Sequence, residues 1–288
     1  MSTSNLTLDS VERAVPLLHK DGYALIRDVL SAEDVQRARA VCDEHLLPDA
    51  DAENEIEATT LLRTPELAFI FDERLIEALI ALLGGTLAYY PNYVVRLNRF
   101  TDWHIDNGFS PKYLPEASHV YDPDFRHVQC VVYLQDNEPG AGGGLDVRPG
   151  SHGWAAAGQF PDDDELAHAY PDIVSIDSKA GDLIVFDGRL VHRGSPADGS
   201  HKLRKYGLFW SASRNDQTQI DRYLEYFMSR VDFLRTLNRP PEEFERDVRR
   251  HKLMYSVRFP ESYPPRAVEV VNKYGIAIAE MPHHGVQR

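Results

Sequence analysis

From residue 86 to 213 the chain breaks into about eight short β-rich runs separated by Gly, Pro and Asp, and this punctuation limits the fold more than any other feature. The runs include "YVVRLNRF" (93–100), "HVQCVVYL" (127–134), "LDVRPGSH" (145–152), "IVSID" (173–177), "GDLIVFD" (181–187), "LVHRGS" (190–195) and "KYGLFWSAS" (205–213). No helical period long enough for a crossover lies between them. A sandwich or barrel is therefore expected rather than alternating βαβ units, mainly β with helices at its flanks.

The flanks read differently. "GYALIRDVL" (22–30) alternates as a strand, and Ser31 with Asp34 three residues on forms a capping-box variant. Val35, Ala38 and Cys42 then share one helical face, so a helix is expected to run to about Leu46. Residues 49–60 are polar and read as a solvated loop. Leu75, Leu79, Leu82 and Leu83 mark a second helix, stopped by Gly84-Gly85. Beyond the β series, Ile220, Tyr223, Leu224, Phe227, Met228, Val231 and Leu234 recur at helical spacing. The organisation expected is one domain over 1–288, with support over about 1–85, a β core over about 86–213 and a helical extension over about 214–288.

Charge narrows the partners. With 31 Lys and Arg against 45 Asp and Glu the net charge is −14, the wrong sign for nucleic acid or an anionic membrane. The two cysteines lie in a helical and a strand pattern, as buried thiols rather than a disulfide pair. The first residues carry no basic region ahead of an apolar core, and no apolar run approaches a membrane span, so a cytoplasmic location is expected.

The stretch that asks for chemistry is "DWHIDNGF" (102–109). On a pleated strand residues i and i+2 share a face, so His104 and Asp106 converge. That is half of a metal site or nothing. A third ligand is found in "GDLIVFDGRLVHRGS", which brings His192 to a strand end after the turn at Asp187-Gly188. Two imidazoles and one carboxylate on one face, with other positions open, suit non-haem Fe(II) that must also take a chelating cosubstrate and O2. Zinc hydrolysis would more often show HExxH or Cys-rich spacing, which is absent. The remaining histidines, His152 and His127 among them, read as packed or surface residues. Acidic "PDDDE" (161–165) reads as solvated, and Trp103, Trp154 and Trp210 as core.

In the order "WHID", "GGGLDVRPGSH" (142–152), "GDLIVFDGRLVHRGS" (181–195) and "HKLRKYGLFW" (201–210), with "DGYALIRDVLSAEDVQRAR" (21–39) ahead of them, the chain resembles the phytanoyl-CoA dioxygenase-like family of Fe(II)/2-oxoglutarate oxygenases. The resemblance implies a double-stranded β-helix, the cupin-like jelly roll. It implies Fe(II) held by His104, Asp106 and His192, with 2-oxoglutarate and O2 as cosubstrates and succinate and CO2 released. It gives Arg204 the part of receptor for the distal carboxylate of 2-oxoglutarate, a natural task for a bidentate guanidinium. Arg193 and Lys205 are its rivals, and Lys205 should face away if Arg204 faces in. Asn98 and Ser195 are implied as further cosubstrate contacts, Ser195 standing three residues after His192 where relatives often have two. His152 in PGSH is implied to stabilise a turn.

Hydroxylation of an unactivated C–H in a small molecule is the default outcome. Desaturation, cyclisation and halogenation are alternatives at the same site; halogenases of this type resemble it without the carboxylate ligand, and Asp106 is present. A metal-binding jelly-roll isomerase or a binding protein is the alternative of another class. Phe109, Tyr113 and Tyr121, in the long loop after the ligands, are substrate-contact candidates. The acidic balance favours a small polar or cationic metabolite of specialised biosynthesis over a CoA ester. A homodimer is left open, since the 219–237 helix could pack on the barrel or on a second subunit.

Overall fold

The helix expected after Ser31 forms over Ala32–His45, and its capping box closes in both directions. Ser31 Oγ accepts from the Asp34 N–H at 3.1 Å while an Asp34 oxygen accepts from the Ser31 N–H at 3.3 Å. The second expected helix spans Glu73–Leu83, with Asp72 accepting from the Arg74 N–H at its start and Gly84 in the left-handed region at φ 71 at its end. In this computed structural model the described residues are 8–46, 55–98, 101–106, 125–156, 172–196, 204–236 and 256–280.

The β series forms two facing sheets. The strands are β1 (Tyr23–Ile26), β2 (Glu55–Glu57), β3 (Leu87–Leu97), β4 (His127–Tyr133), β5 (Leu145–Val147), β6 (Val174–Ser175), β7 (Leu183–Asp187), β8 (His192–Gly194), β9 (Tyr206–Arg214) and β10 (Ala277–Ile278). The larger sheet runs β1-β7-β4-β9-β3-β10, with β2 beside β3, and the smaller runs β6-β5-β8. Pairing is antiparallel except for β10 against β3, so the larger sheet is mixed, and neither sheet closes on itself. This is the expected jelly-roll architecture.

Alternation along each strand decides what the two faces of the larger sheet do. Tyr206, Leu208, Trp210 and Ala212 of β9, with Val128, Cys130 and Val132 of β4, join the buried residues of the helices in one core. Val131, Tyr133, Ile184 and Phe186 point the other way, toward Leu145 and Val147 of the smaller sheet, with Phe209 packed against them. Each such side chain contributes roughly 1.5–3 kcal/mol when fully buried. The outer face is thus packed against the helices, and the inner face looks onto the smaller sheet. At the rim, Gly22 at φ +82 lets the chain pass against His152; an added Cβ would lie 2.5 Å from its Nδ1. His152 in turn bonds the His19 carbonyl through Nε2 at 3.2 Å, tying the PGSH phrase to the end of the helix Leu8–Asp21 rather than across a turn.

Four elements depart from expectation. Part of the stretch read as a loop at 49–60 is β2 followed by the helix Ala58–Arg63, because Ile56 is buried and Glu55 pairs in register with Arg96. Helices Leu8–Asp21 and Pro265–Tyr274 were not anticipated. The helix expected over 219–237 spans Gln217–Thr236. Both cysteines are buried and free. No helix among the described residues is long and apolar enough to cross a membrane.

Candidate metal centre

His104 and His192 face each other as an isolated antiparallel bridge, each N–H donating to the other's carbonyl at 2.9 and 3.0 Å. That mutual pair brings the two rings to 4.3 Å between centroids. Each ring is then turned by its own chain: His104 Nδ1 lies 2.7 Å from the Asp102 carbonyl and His192 Nδ1 2.8 Å from the Leu190 carbonyl. A carbonyl can only accept, so Nδ1 carries the proton in both rings and Nε2 presents its lone pair. Between the two Nε2 atoms stands the Asp106 carboxylate, with one oxygen 3.6 Å from each.

Ligand atoms of the three residues all lie within 4.8 Å of one another. Two ligands about 2.1 Å from one ion at right angles would be about 3 Å apart, so a small contraction around an ion suffices. The donor set fits a divalent transition metal with a free face. Burial, then His104, pushes the His192 pKa down to about 4, against the pull of Asp106, so its imidazole is neutral and able to ligate at neutral pH.

Supports converge from behind. Arg193, next to His192, lays its guanidinium 4.6 Å over the ring of Trp103, next to His104. Its Nε donates at 2.8 Å to Asp146, a buried carboxylate that also accepts from Ser195 Oγ at 2.6 Å and Ser175 Oγ at 2.7 Å. From the opposite side Tyr226, on the helix Gln217–Thr236, donates its hydroxyl to the Asp106 carbonyl at 3.0 Å. Tyr223 of the same helix stacks on His127, with ring centroids 3.8 Å apart, and Tyr90 and Phe125 complete an aromatic wall.

His127 is fully buried, and burial lowers its pKa from 6.5 to about 3. Below pH 6.5 the unfolded chain takes up a proton here that the folded chain refuses until about pH 3. Stability from this residue is present above pH 6.5 and is lost as pH falls toward 3. His127→Phe should therefore flatten the acid limb of a stability–pH profile measured by denaturant unfolding; an unchanged limb would show that His127 titrates normally.

The expected cosubstrate contacts are dispersed. Arg204 shares the parity of Tyr206 and faces the outer, helix-covered side, where Nη1 donates to Asp43 at 2.7 Å. The expectation that Arg204 faces in and Lys205 away is therefore reversed. Lys205 is on the inner face, and its stem runs so close over Gly143 that a Cβ there would lie 2.5 Å from its Cγ. Its Nζ donates to the Asp136 carbonyl at 3.1 Å; burial and then Arg39 lower its pKa, while Asp136 and Glu138 oppose them. Asn98, at φ 50, spends its side-chain oxygen on the Lys205 N–H at 2.9 Å, so it orients Lys205 rather than facing a ligand with that atom. Ser195 is committed to Asp146. Phe109, Tyr113 and Tyr121 lie outside the described residues. Sequence reasoning passed over Arg96, whose guanidinium lies 5.5 Å over the inner-face ring of Phe209 and 3.6 Å from Glu55. Its signal was the alternation with Val95 and Leu97.

A sequence profile described as phytanoyl-CoA dioxygenase (PhyH) matches residues 18–206. Among curated proteins none matches significantly. Solved structures share the fold at low identity. EctD from S. alaskensis with bound Fe is 24% identical over 74% of this chain and 80% of its own, with a TM-score of 0.52. The non-haem alpha-ketoglutarate-dependent epimerase SnoN from nogalamycin biosynthesis is 18% identical over 72% and 83%, with a TM-score of 0.52. The carbocyclase SnoK from the same biosynthesis is 20% identical over 74% and 86%, with a TM-score of 0.53.

Proposed function

Because the chain belongs to the phytanoyl-CoA dioxygenase family, we propose that it is an Fe(II)- and 2-oxoglutarate-dependent oxygenase that hydroxylates a small-molecule metabolite. His104, Asp106 and His192 hold the iron. The observation that carries this reading is the pair of carbonyl-pinned imidazoles whose Nε2 atoms meet one carboxylate at 3.6 Å each. An arrangement made only for folding has no need to aim two lone pairs at an anion. Proteins of this architecture crystallised with Fe, and with 2-oxoglutarate, support the choice of metal and cosubstrate. When bound, Fe(II) with 2-oxoglutarate and O2 supplies the oxidising power, with succinate and CO2 released.

The residues of this chain do the rest. Phe186, 4.6 Å from the His192 ring, gives the centre a dry wall. Arg193, Trp103 and Asp146 hold the two histidine-bearing segments in register, and Tyr226 holds the Asp106 turn. Lys205 receives the distal carboxylate in place of Arg204. Hydroxylation is preferred over halogenation because Asp106 occupies the position a halide would need. The test is to supply the purified protein with Fe(II), 2-oxoglutarate and a panel of small polar and cationic metabolites, following succinate and product mass. Succinate coupled to a product one oxygen heavier is expected. Coupled succinate with no gain of oxygen would replace hydroxylation by desaturation, cyclisation or epimerisation, and no succinate with any metal-loaded preparation would sink the oxygenase reading.

A further inference from the structure

A glutamine in the middle of the apolar run "HVQCVVYL" is costly unless its amide is partnered. Gln129 faces inward from β4, in register with Ser211 of β9 on one side and Phe186 of β7 on the other. Phe186 is the residue whose ring packs against His192. The bonds around Gln129 can be read in only one direction. The Ser211 backbone N–H, which can only donate, meets the Asn92 amide at 3.0 Å, so the atom there is Oδ1. Asn92 Nδ2 must then be the atom 2.5 Å from Ser211 Oγ, and it donates. The Ser211 oxygen accepts there, and Gln129 is the one acceptor its hydroxyl proton has among the described residues, so that proton goes to Gln129 at 2.9 Å and the atom it meets is Oε1. Gln129 Nε2 is left turned away from Ser211, and among the described residues no acceptor takes it. A trio built only to satisfy itself would not leave two donor protons over.

We propose that Gln129 donates a hydrogen bond to a carboxylate oxygen of the bound 2-oxo acid, locked in the donating orientation by a one-way relay from Asn92 through Ser211. This rests on the 2-oxoglutarate reading above. It makes Gln129 a ligand-binding residue and Asn92 a positioning residue that acts through it. Asn92→Asp tests the relay because the carboxylate can only accept. It takes the Ser211 N–H and also the Ser211 hydroxyl proton, so Ser211 Oγ has only lone pairs for Gln129. The amide then turns over and presents Oε1, an oxygen against an oxygen.

The experiment titrates 2-oxoglutarate into the full-length Co(II)-loaded protein at neutral pH, for the wild type, Gln129→Met, Asn92→Asp and the double variant. Metal affinity and thermal midpoint are measured alongside. Both single variants should bind 2-oxoglutarate about tenfold or more weakly, as expected for a lost hydrogen bond to a charged group, with metal affinity retained. The double variant should bind no more weakly than Gln129→Met, because without the amide the relay has nothing to orient. Wild-type affinity in Gln129→Met would overturn the proposal, and so would additive losses in the double variant. A wild-type protein that binds metal and no 2-oxoglutarate would overturn both this inference and the oxygenase reading; intact wild-type binding with unaffected variants overturns the inference alone.

Discussion

His192→Ala should lower affinity for Fe(II) or Co(II) by more than about 100-fold and abolish turnover, since loss of a mere outer partner of a metal ligand already costs about 10–100-fold. The residue is 4% exposed and its Nδ1 is fixed by the Leu190 carbonyl, so Nε2 is held in place to ligate. Its removal leaves a gap beside Phe186 that costs about 1–2 kcal/mol of stability, the ordinary size for a point mutation. Metal titration by calorimetry, with circular dichroism to verify the fold, separates the two effects. His45→Ala is the control, because His45 is an exposed helix-end histidine whose Nδ1 meets the Val41 carbonyl. Asp106→Gly should keep both imidazoles, weaken the metal and remove hydroxylation. The vacated position is open to chloride, yet efficient chlorination is not expected without a halide pocket and a substrate held away from rebound. Full activity in Asp106→Gly, or unchanged metal affinity in His192→Ala, would dismantle the centre.

The parts of the site that were legible in the sequence are those fixed by local geometry. His104 and Asp106 are two residues apart, and no long-range event can separate them. His192 stands beside a tight turn whose role is equally local. The faces of β9 were a different matter. Which face a residue of β9 takes depends on register, and a shift of one residue inverts every side chain that follows it. The resemblance that gave Arg204 its part carries no information on this register, and in the structure Arg204 meets Asp43. The Asn92–Ser211–Gln129 relay was illegible for another reason: it needs β3, β9 and β4 to lie side by side, and strand order is a property of the whole sheet. The helix Pro265–Tyr274 was readable after all, with Pro at its first turn and Gly275 in the left-handed region at its end. The fold class came through because it depends on the rhythm of short strands and breakers rather than on any register.

The same parity argument sets the second large effect. Lys205→Met should weaken 2-oxoglutarate binding by roughly 10- to 100-fold, the value of about 1.5–3 kcal/mol for a hydrogen bond between charged groups. Arg204→Ala should leave it unchanged, because that side chain meets Asp43 and the Tyr206 hydroxyl on the far side of the sheet. Lys205 is prepared for the task. Asn98 grips its backbone N–H, Gly143 gives its stem room, and partial desolvation already lowers its pKa, so an incoming carboxylate would restore what burial removes. Gly143→Ala should share the loss, since the added Cβ would displace the Lys205 stem, and at φ +79 it strains the turn as well. Lys205→Arg keeps the charge with a bulkier, planar head and should recover part of the affinity. The measurement is a 2-oxoglutarate titration of each metal-loaded variant. Weak binding in Arg204→Ala together with normal binding in Lys205→Met would return the anchor to Arg204 and mean that β9 turns its other face to the ligand.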